Sequence, residues 1–192
     1  MKSIKEVIKR NISGKKVLLY FILANLIYVF MLAITIPKTM EFSKGLKLLD
    51  MMPGGYNPEY IKTLLANLGE AGRSIYLYEQ IPVDMIYPGL FAISYCLLMA
   101  FFLQKLQKLD TVYFYLTLLP IVAGIADYME NIGIITMLNN YPDVSQLSMS
   151  LTNIFTIVKS MVTAIYFVAL IIILVIFGIK TLSNRKQGAH SK

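Results

Sequence analysis

The chain has 192 residues, 57% of them hydrophobic and 15% charged, with a formal net charge of +7, one cysteine, one histidine and no tryptophan. With a mean hydropathy of +0.63, this composition excludes a soluble globular domain and points to an all-α, polytopic membrane protein. Lone Cys96 rules out an intramolecular disulfide, and lone His190, in a polar tail, leaves Ser-His, Cys-His and histidine-ligated zinc mechanisms without parts.

Residues 1–16 form a basic N-terminal segment. Within 2–12, Ile4, Val7 and Ile8 oppose Lys2, Lys5, Lys9 and Arg10, the pattern of a short amphipathic helix on a membrane surface, and Asn11, Ser13 and Gly14 end it. The first apolar run, about 17–36, is longer than the roughly 7–15 residues of a signal peptide, so a retained span is expected. Residues 37–81 make a connection of five basic and five acidic residues, read as a helical lid over the outer ends of the spans. In it, Pro53-Gly54-Gly55 marks a tight turn. Asn57 offers an N-cap to Pro58, and Tyr60, Ile61, Leu64, Leu65 and Leu68 follow at helical spacing until Gly69 stops them. A second helix from Ser74 runs towards Pro82. Tyr76, Tyr78 and Tyr141 fit an interfacial belt, and Arg73 and Tyr76 are lid residues within reach of the spans.

The second and third spans, about 83–104 and 111–135, are joined by the short 105–110 turn and form an antiparallel hairpin. An outer loop, 139–152, leads to the fourth span, about 153–178, and a basic tail, 179–192. The transmembrane domain is therefore 17–178, a four-helix bundle with short amphipathic helices in its first extracytoplasmic connection. Twelve basic residues flank one side of these spans, among them Lys15, Lys16, Lys105, Lys108, Lys180, Arg185, Lys186 and Lys192, against only Glu6 and Asp110. The positive-inside rule then sets both termini in the cytoplasm of a multi-pass protein of the cell membrane. The charge reflects topology and anionic lipid, with no nucleic-acid partner.

Ionisable groups inside the spans are expensive and so carry information. Asp127, Glu130 and Asn131 stand at helical i, i+3, i+4 spacing in span 3. Counting rise per residue brings Asp84 of span 2 and Lys159 of span 4 to the same depth. Polar stripes accompany them: Tyr87, Ser94 and Tyr95 on span 2, and Thr152, Thr156, Ser160 and Thr163 on span 4, with Asn25 and Tyr28 one layer deeper on span 1. Ala123, Gly124 and Ala126 permit close helix approach. Pro88 and Pro120 each free the carbonyl four residues earlier, that of Asp84 and of Leu116. Three acids against Lys159 leave negative charge to be met by a protonated carboxyl, by Arg73 reaching in from the lid, or by a bound cation. The alternative is a closed clasp in which Lys159 pairs with Asp127 or Glu130 and Asp84 sits among headgroups. A carboxylate-only metal site at Asp84, Asp127 and Glu130 is a further, weaker option, and no cofactor is indicated.

The layout of four spans, cytoplasmic termini, a long first outer connection with helical pieces and intramembrane carboxylates resembles the emopamil-binding family of small four-span sterol isomerases and ligand-binding proteins. The resemblance is one of architecture. The stretch VFMLAITIPKTM carries no acid and the spans hold no histidine, so no residue role is transferred.

Three functions fit these residues. The first is a binding or permeation module holding a lipid, an amphiphile or a cation in an outward-facing acidic pocket at Asp84, Tyr87, Asp127, Glu130, Asn131 and Lys159; transport would call for a homo-oligomer. The second is a structural or assembly protein using the polar layer as interhelical glue. The third is an intramembrane enzyme with Glu130 or Asp127 as acid/base beside Tyr87 or Lys159.

Overall fold

The computed structural model describes residues 4–190, with side chains through residue 184. Its regular secondary structure is all helical, with no strand among those residues. Lys2 and Lys192, and the side chains of Arg185, Lys186 and His190, lie outside what is described. Four helical runs are long and apolar enough to cross a membrane: Gly14–Met40, Pro58–Lys105, Val112–Asn139 and Gln146–Asn184.

The basic amphipathic stretch forms α1 (Ile4–Asn11). Its Ile8 is buried while Ile4 and Val7 stay exposed. Lys5 and Lys9 reach Asp110 at 2.9 and 2.6 Å and dock the helix on the 105–110 turn. Lys9 and Lys5 hold the Asp110 carboxyl below its usual range by bonding its charged form. Ser13 then caps α2 (Gly14–Met40), its side chain accepting from the Lys16 N–H at 3.3 Å.

Inside α2, residues Met31–Thr35 widen into a π-turn, where the Ile36 N–H bonds the carbonyl of Met31 five residues back. The reason lies just beyond, at Pro37, which lacks a donor; a locally widened turn is one way a helix accommodates that loss. The same device recurs at Tyr76–Gln80, ahead of Pro82, where Ile81 N–H bonds Tyr76 O. The sequence contains no pattern that marks these turns beyond the prolines themselves.

The lid folds inward more than its composition suggests. Leu48 and Leu49 are fully buried, and Leu49–Met51 make a 3₁₀ turn. At the Pro53-Gly54-Gly55 turn, Gly55 has φ +81, and a Cβ there would stand 2.5 Å from Asn153 Oδ1, so glycine is demanded both by conformation and by space. Asn57 caps α3 (Pro58–Ile75), accepting from the Tyr60 N–H at 2.8 Å. Gly69, at φ 61 and ψ −173, leaves helical geometry, so it ends the first helical piece as its place in the sequence implies and a second piece follows across a kink. The chain continues through the π-turn and the single turn Ile81–Asp84 to a break at Met85–Ile86, then α4 (Tyr87–Lys105). The break falls where Pro88 removes the partner of the Asp84 carbonyl.

Residues Val112–Leu118 are 3₁₀, and α5 begins only at Leu119 and runs to Asn139. Pro120 therefore sits in the first turn of α5, where its missing N–H costs nothing, and Leu116, the residue whose carbonyl it was expected to free, lies outside that helix in the 3₁₀ segment. The last helix, α6 (Gln146–His190), is 45 residues long and continues past the expected end of the span into the basic tail.

α5 packs along both α4 and α6, whereas α2 packs on α4. The backbones of α4 and α5 come close at Gly124, where a Cβ would lie 2.8 Å from the Pro88 carbonyl oxygen, as the small-residue stripe implies. Two apolar cores result. One, at the end bearing α1, is built on Met99, Leu103, Tyr166 and Leu170. The other, under the lid, is built on Leu48, Leu64, Tyr76, Ile134 and Met137.

Candidate functional site

Between the two cores lies a cavity of about 560 Å³, within the size range of small-molecule sites. Its lid end carries Asp50, Asp84, Asp127 and Lys159; its deeper end is aromatic, with Tyr28, Tyr87, Phe91, Tyr95 and Phe167. Tyr28 and Tyr87 stack at 5.4 Å, and Phe91 lies 4.6 Å from Tyr95, measured between ring centroids.

Helices α5 and α6 meet through an ordered relay. The Lys159 ammonium lies 3.1 Å from Asp127 Oδ1 and also pairs with Glu130 Oε2, which has no other partner. The other Glu130 oxygen accepts from the Thr156 hydroxyl at 2.6 Å. Thr156 is in turn 2.9 Å from the Tyr56 hydroxyl; with its own proton committed to Glu130, it accepts there. Tyr56 also donates its backbone N–H to Asn153 Oδ1 at 2.8 Å. The lid is thus bound to α6 twice, and its hydroxyl reports to the ion pair.

Asp84 is different. It is 3% exposed, its Oδ2 has no hydrogen-bond partner, and it faces the cavity from the break before α4. A buried oxygen without a partner is costly and calls for a proton, a water or a ligand.

The lid contributes a fourth acid that sequence reasoning missed. Asp50, at the 3₁₀ turn, lines the cavity, accepting from the Tyr76 hydroxyl at 3.1 Å and from Gln80 Nε2 at 3.4 Å. Gln80 Oε1 accepts in turn from the Thr35 hydroxyl. The two π-turns therefore end in partners that face each other and hold the acid in place. Burial pushes the Asp50 carboxyl up; Lys159 opposes this and Glu130 reinforces it. A signal existed: Asp50 lies within LLDMM (48–52), an acid inside an apolar run.

Of the sequence-derived set, Asp84, Tyr87, Asp127 and Lys159 line the cavity. Glu130 is fully buried behind it, on the relay. Asn131 is fully buried with both side-chain polar atoms unpartnered, away from the cavity wall. Arg73 does not reach in: its guanidinium donates to the Leu65 carbonyl at 2.8 Å and stacks 4.0 Å over Tyr141. Tyr76 is no belt residue, since it is fully buried on Asp50, whereas Tyr78 is exposed. Among the described residues no three acids, histidines or cysteines converge as metal ligands, because Glu130 is turned towards Lys159 and Thr156 and away from Asp84.

The chain matches no protein-family model, and no curated protein or solved structure matches it either.

Proposed function

We propose that this chain is an integral protein of the cell membrane, both termini cytoplasmic, that binds an amphiphile by a cationic end. The carrying observation is Asp84, a buried carboxyl with an unpartnered oxygen on the wall of a cavity that also holds Asp50 and Asp127. Lys159 is the one base among the residues lining it, and Asp127 and Glu130 already occupy that ammonium. The acidic end therefore has negative charge to spare, and a cation satisfies it without a new desolvated anion. The aromatic end suits an apolar body, and its ring faces suit a cation as well. Below Tyr95, whose carbonyl accepts from Tyr166 at 2.8 Å, the packed core leaves a pocket with a floor. That supports holding a molecule over conducting one.

The test uses purified protein in lipid nanodiscs and three probes of equal tail length: decyltrimethylammonium, decanol and decyl sulfate. The cationic probe should raise the unfolding temperature saturably, and Asp84→Asn should remove most of that rise; at 100 times Kd the linkage is worth about 2.7 kcal/mol. Equal shifts from all three probes, or none, would overturn the reading. A structural role is the second reading, drawing on the relay from Tyr56 through Thr156 and Glu130 to Lys159 that joins lid, α5 and α6. It expects no probe dependence and an unaltered or more stable Asp84→Asn protein.

A further inference from the structure

We infer that the amphiphile reaches this cavity sideways from the lipid, through a doorway between α2 and α6, and not from water through the lid. This rests on the proposed reading of the cavity as an amphiphile site and adds the route, and with it the chemistry: a membrane-dissolved molecule with an amine or quaternary ammonium head and a long single tail.

The doorway follows from how the helices pack. α2 and α6 both contribute to the cavity wall, through Tyr28 and Leu32 on one side and Ala164 and Phe167 on the other. Yet among the described residues they share no extended packing seam; α2 leans on α4, and α6 leans on α5. No helix–helix seam therefore closes the wall between those two helices. Its posts are apolar and uncovered: Tyr28 is 42% and Leu32 43% exposed, and Phe167 36%. No charged residue stands among these posts, so a hydrocarbon tail passes without desolvating an ion.

The aqueous roof, by contrast, is latched to both α6 and α2. Tyr56 binds Asn153 and Thr156 on α6. Asp50 is held by Tyr76 and Gln80, and Gln80 by Thr35 of α2. Gly55 sits so close to Asn153 and Ile157 that no Cβ fits between them. Opening this roof breaks several hydrogen bonds at once, two of them to the half-buried Asp50 carboxylate. Crossing the doorway breaks none.

Orientation agrees with the route. The acids lie at the lid end of the cavity and the aromatic rings at its deeper end. An amphiphile in the lid-side leaflet already has its head at the level of Asp50 and Asp84. It need only move laterally, and its tail can trail out between α2 and α6, so the cavity does not limit tail length. Three carboxyls at the head position select a cation over a zwitterion or an anion.

Because the chain has no tryptophan, Phe167→Trp supplies a single reporter at the doorway. In nanodiscs, 11-bromoundecyltrimethylammonium should quench it saturably, whereas tetramethylammonium from water should neither quench nor compete. On a Cys96→Ser background, Leu32→Cys and Ala164→Cys joined by a cleavable bifunctional thiol reagent should slow quenching by at least about tenfold, and cleavage should restore it. Leu32→Ala, which widens the opening and does not depend on cross-linking, should speed it. Loosening the roof with Asn153→Ala should leave the rate unchanged. If bridging and widening leave the rate unchanged while Asn153→Ala raises it, the route is through the lid and the doorway is wrong, with the acid site intact. If Asp84→Asn leaves the saturable quenching untouched, the acid site itself is wrong.

Discussion

Replacing Lys159 with methionine probes the polar layer at its one base. The lysine side chain is 18% exposed, against 9% for Asp127 and 0% for Glu130. Methionine is unbranched and of similar reach, so the change removes charge while opening little cavity. Removing one partner of a buried pair costs about 3–5 kcal/mol, most of it the stranded charge that remains. Here two carboxyls are stranded, but not equally. Asp127 borders the cavity and can be hydrated from it; Glu130 has no such access and retains only the Thr156 hydroxyl. The loss should thus be about 3 kcal/mol and reside chiefly at Glu130. Adding Glu130→Gln should recover about 1–3 kcal/mol of it, and adding Asp127→Asn less than about 1 kcal/mol. The assay is reversible unfolding in mixed micelles, followed by far-UV circular dichroism, for the wild type, the three single and the two double variants. Strict additivity of both doubles, or a Lys159→Met protein as stable as the wild type, would refute the pairing.

Topology is checked by thiol labelling on the Cys96→Ser background. Lys62→Cys should react only from outside intact cells and Lys108→Cys only after permeabilisation; the same side for both would reject the four-span arrangement. Gly124→Val should destabilise the bundle by about 1–3 kcal/mol in the same micelle assay, because its side chain would press on the Pro88 carbonyl and on Ala92. A neutral result would mean that α4 and α5 are not in contact there. The raised Asp50 carboxyl makes two pH predictions of opposite sign. In the free protein its contribution favours folding at low pH and fades as pH rises through the raised value, because the folded state holds that proton more tightly than the unfolded chain. Affinity for decyltrimethylammonium should instead rise over the same window, as the carboxyl becomes charged. Asp50→Asn should flatten both profiles, and a variant with unchanged profiles would move the titrating group elsewhere.

What the chain's sequence makes legible divides along physical lines. Long apolar runs and local caps depend on near neighbours, so the four membrane-length helices, the Asn57 cap and the Ser13–Gly14 break can be read directly. The meeting of Asp84, Asp127 and Lys159 was readable because rise per residue fixes depth along a helix. The position of Asp50 was not, since a non-helical connection has no such ruler; only the burial of Leu48 and Leu49 shows that the lid turns inward. Arg73 and Tyr76 exchanged expected roles for a related reason. The break at Gly69 lies before both residues and rotates the helix beyond it, so a regular 3.6-residue period carried across that point misassigns their side chains.

Under the proposed reading, the two alternatives posed by the acidic layer, a closed clasp and an open site, belong to different faces of it. On the α5–α6 side Glu130, Thr156 and Lys159 satisfy one another, and the relay ends on the lid at Tyr56. On the α2–α4 side Asp84 keeps a free oxygen, and Asp50 accepts only two long bonds. The clasped face is rigid because each member has its partner, and that rigidity presents Asp127 and Lys159 to the cavity at a fixed position. A ligand cation would therefore meet a half-built network. Its binding energy would come from Asp84 and Asp50, while Lys159 sets how much positive charge the site tolerates. Lengthening the reach of that ammonium to a delocalised one, Lys159→Arg, then becomes a discriminating change. Its planar fork can span Asp127 and Glu130 bidentately and leave the clasp as stable as before. Its larger head would nevertheless project into the cavity and weaken decyltrimethylammonium binding. Stability preserved with affinity lost is the outcome expected of a layer in which clasp and site share one lysine, and loss of both together would mean that they are not separable.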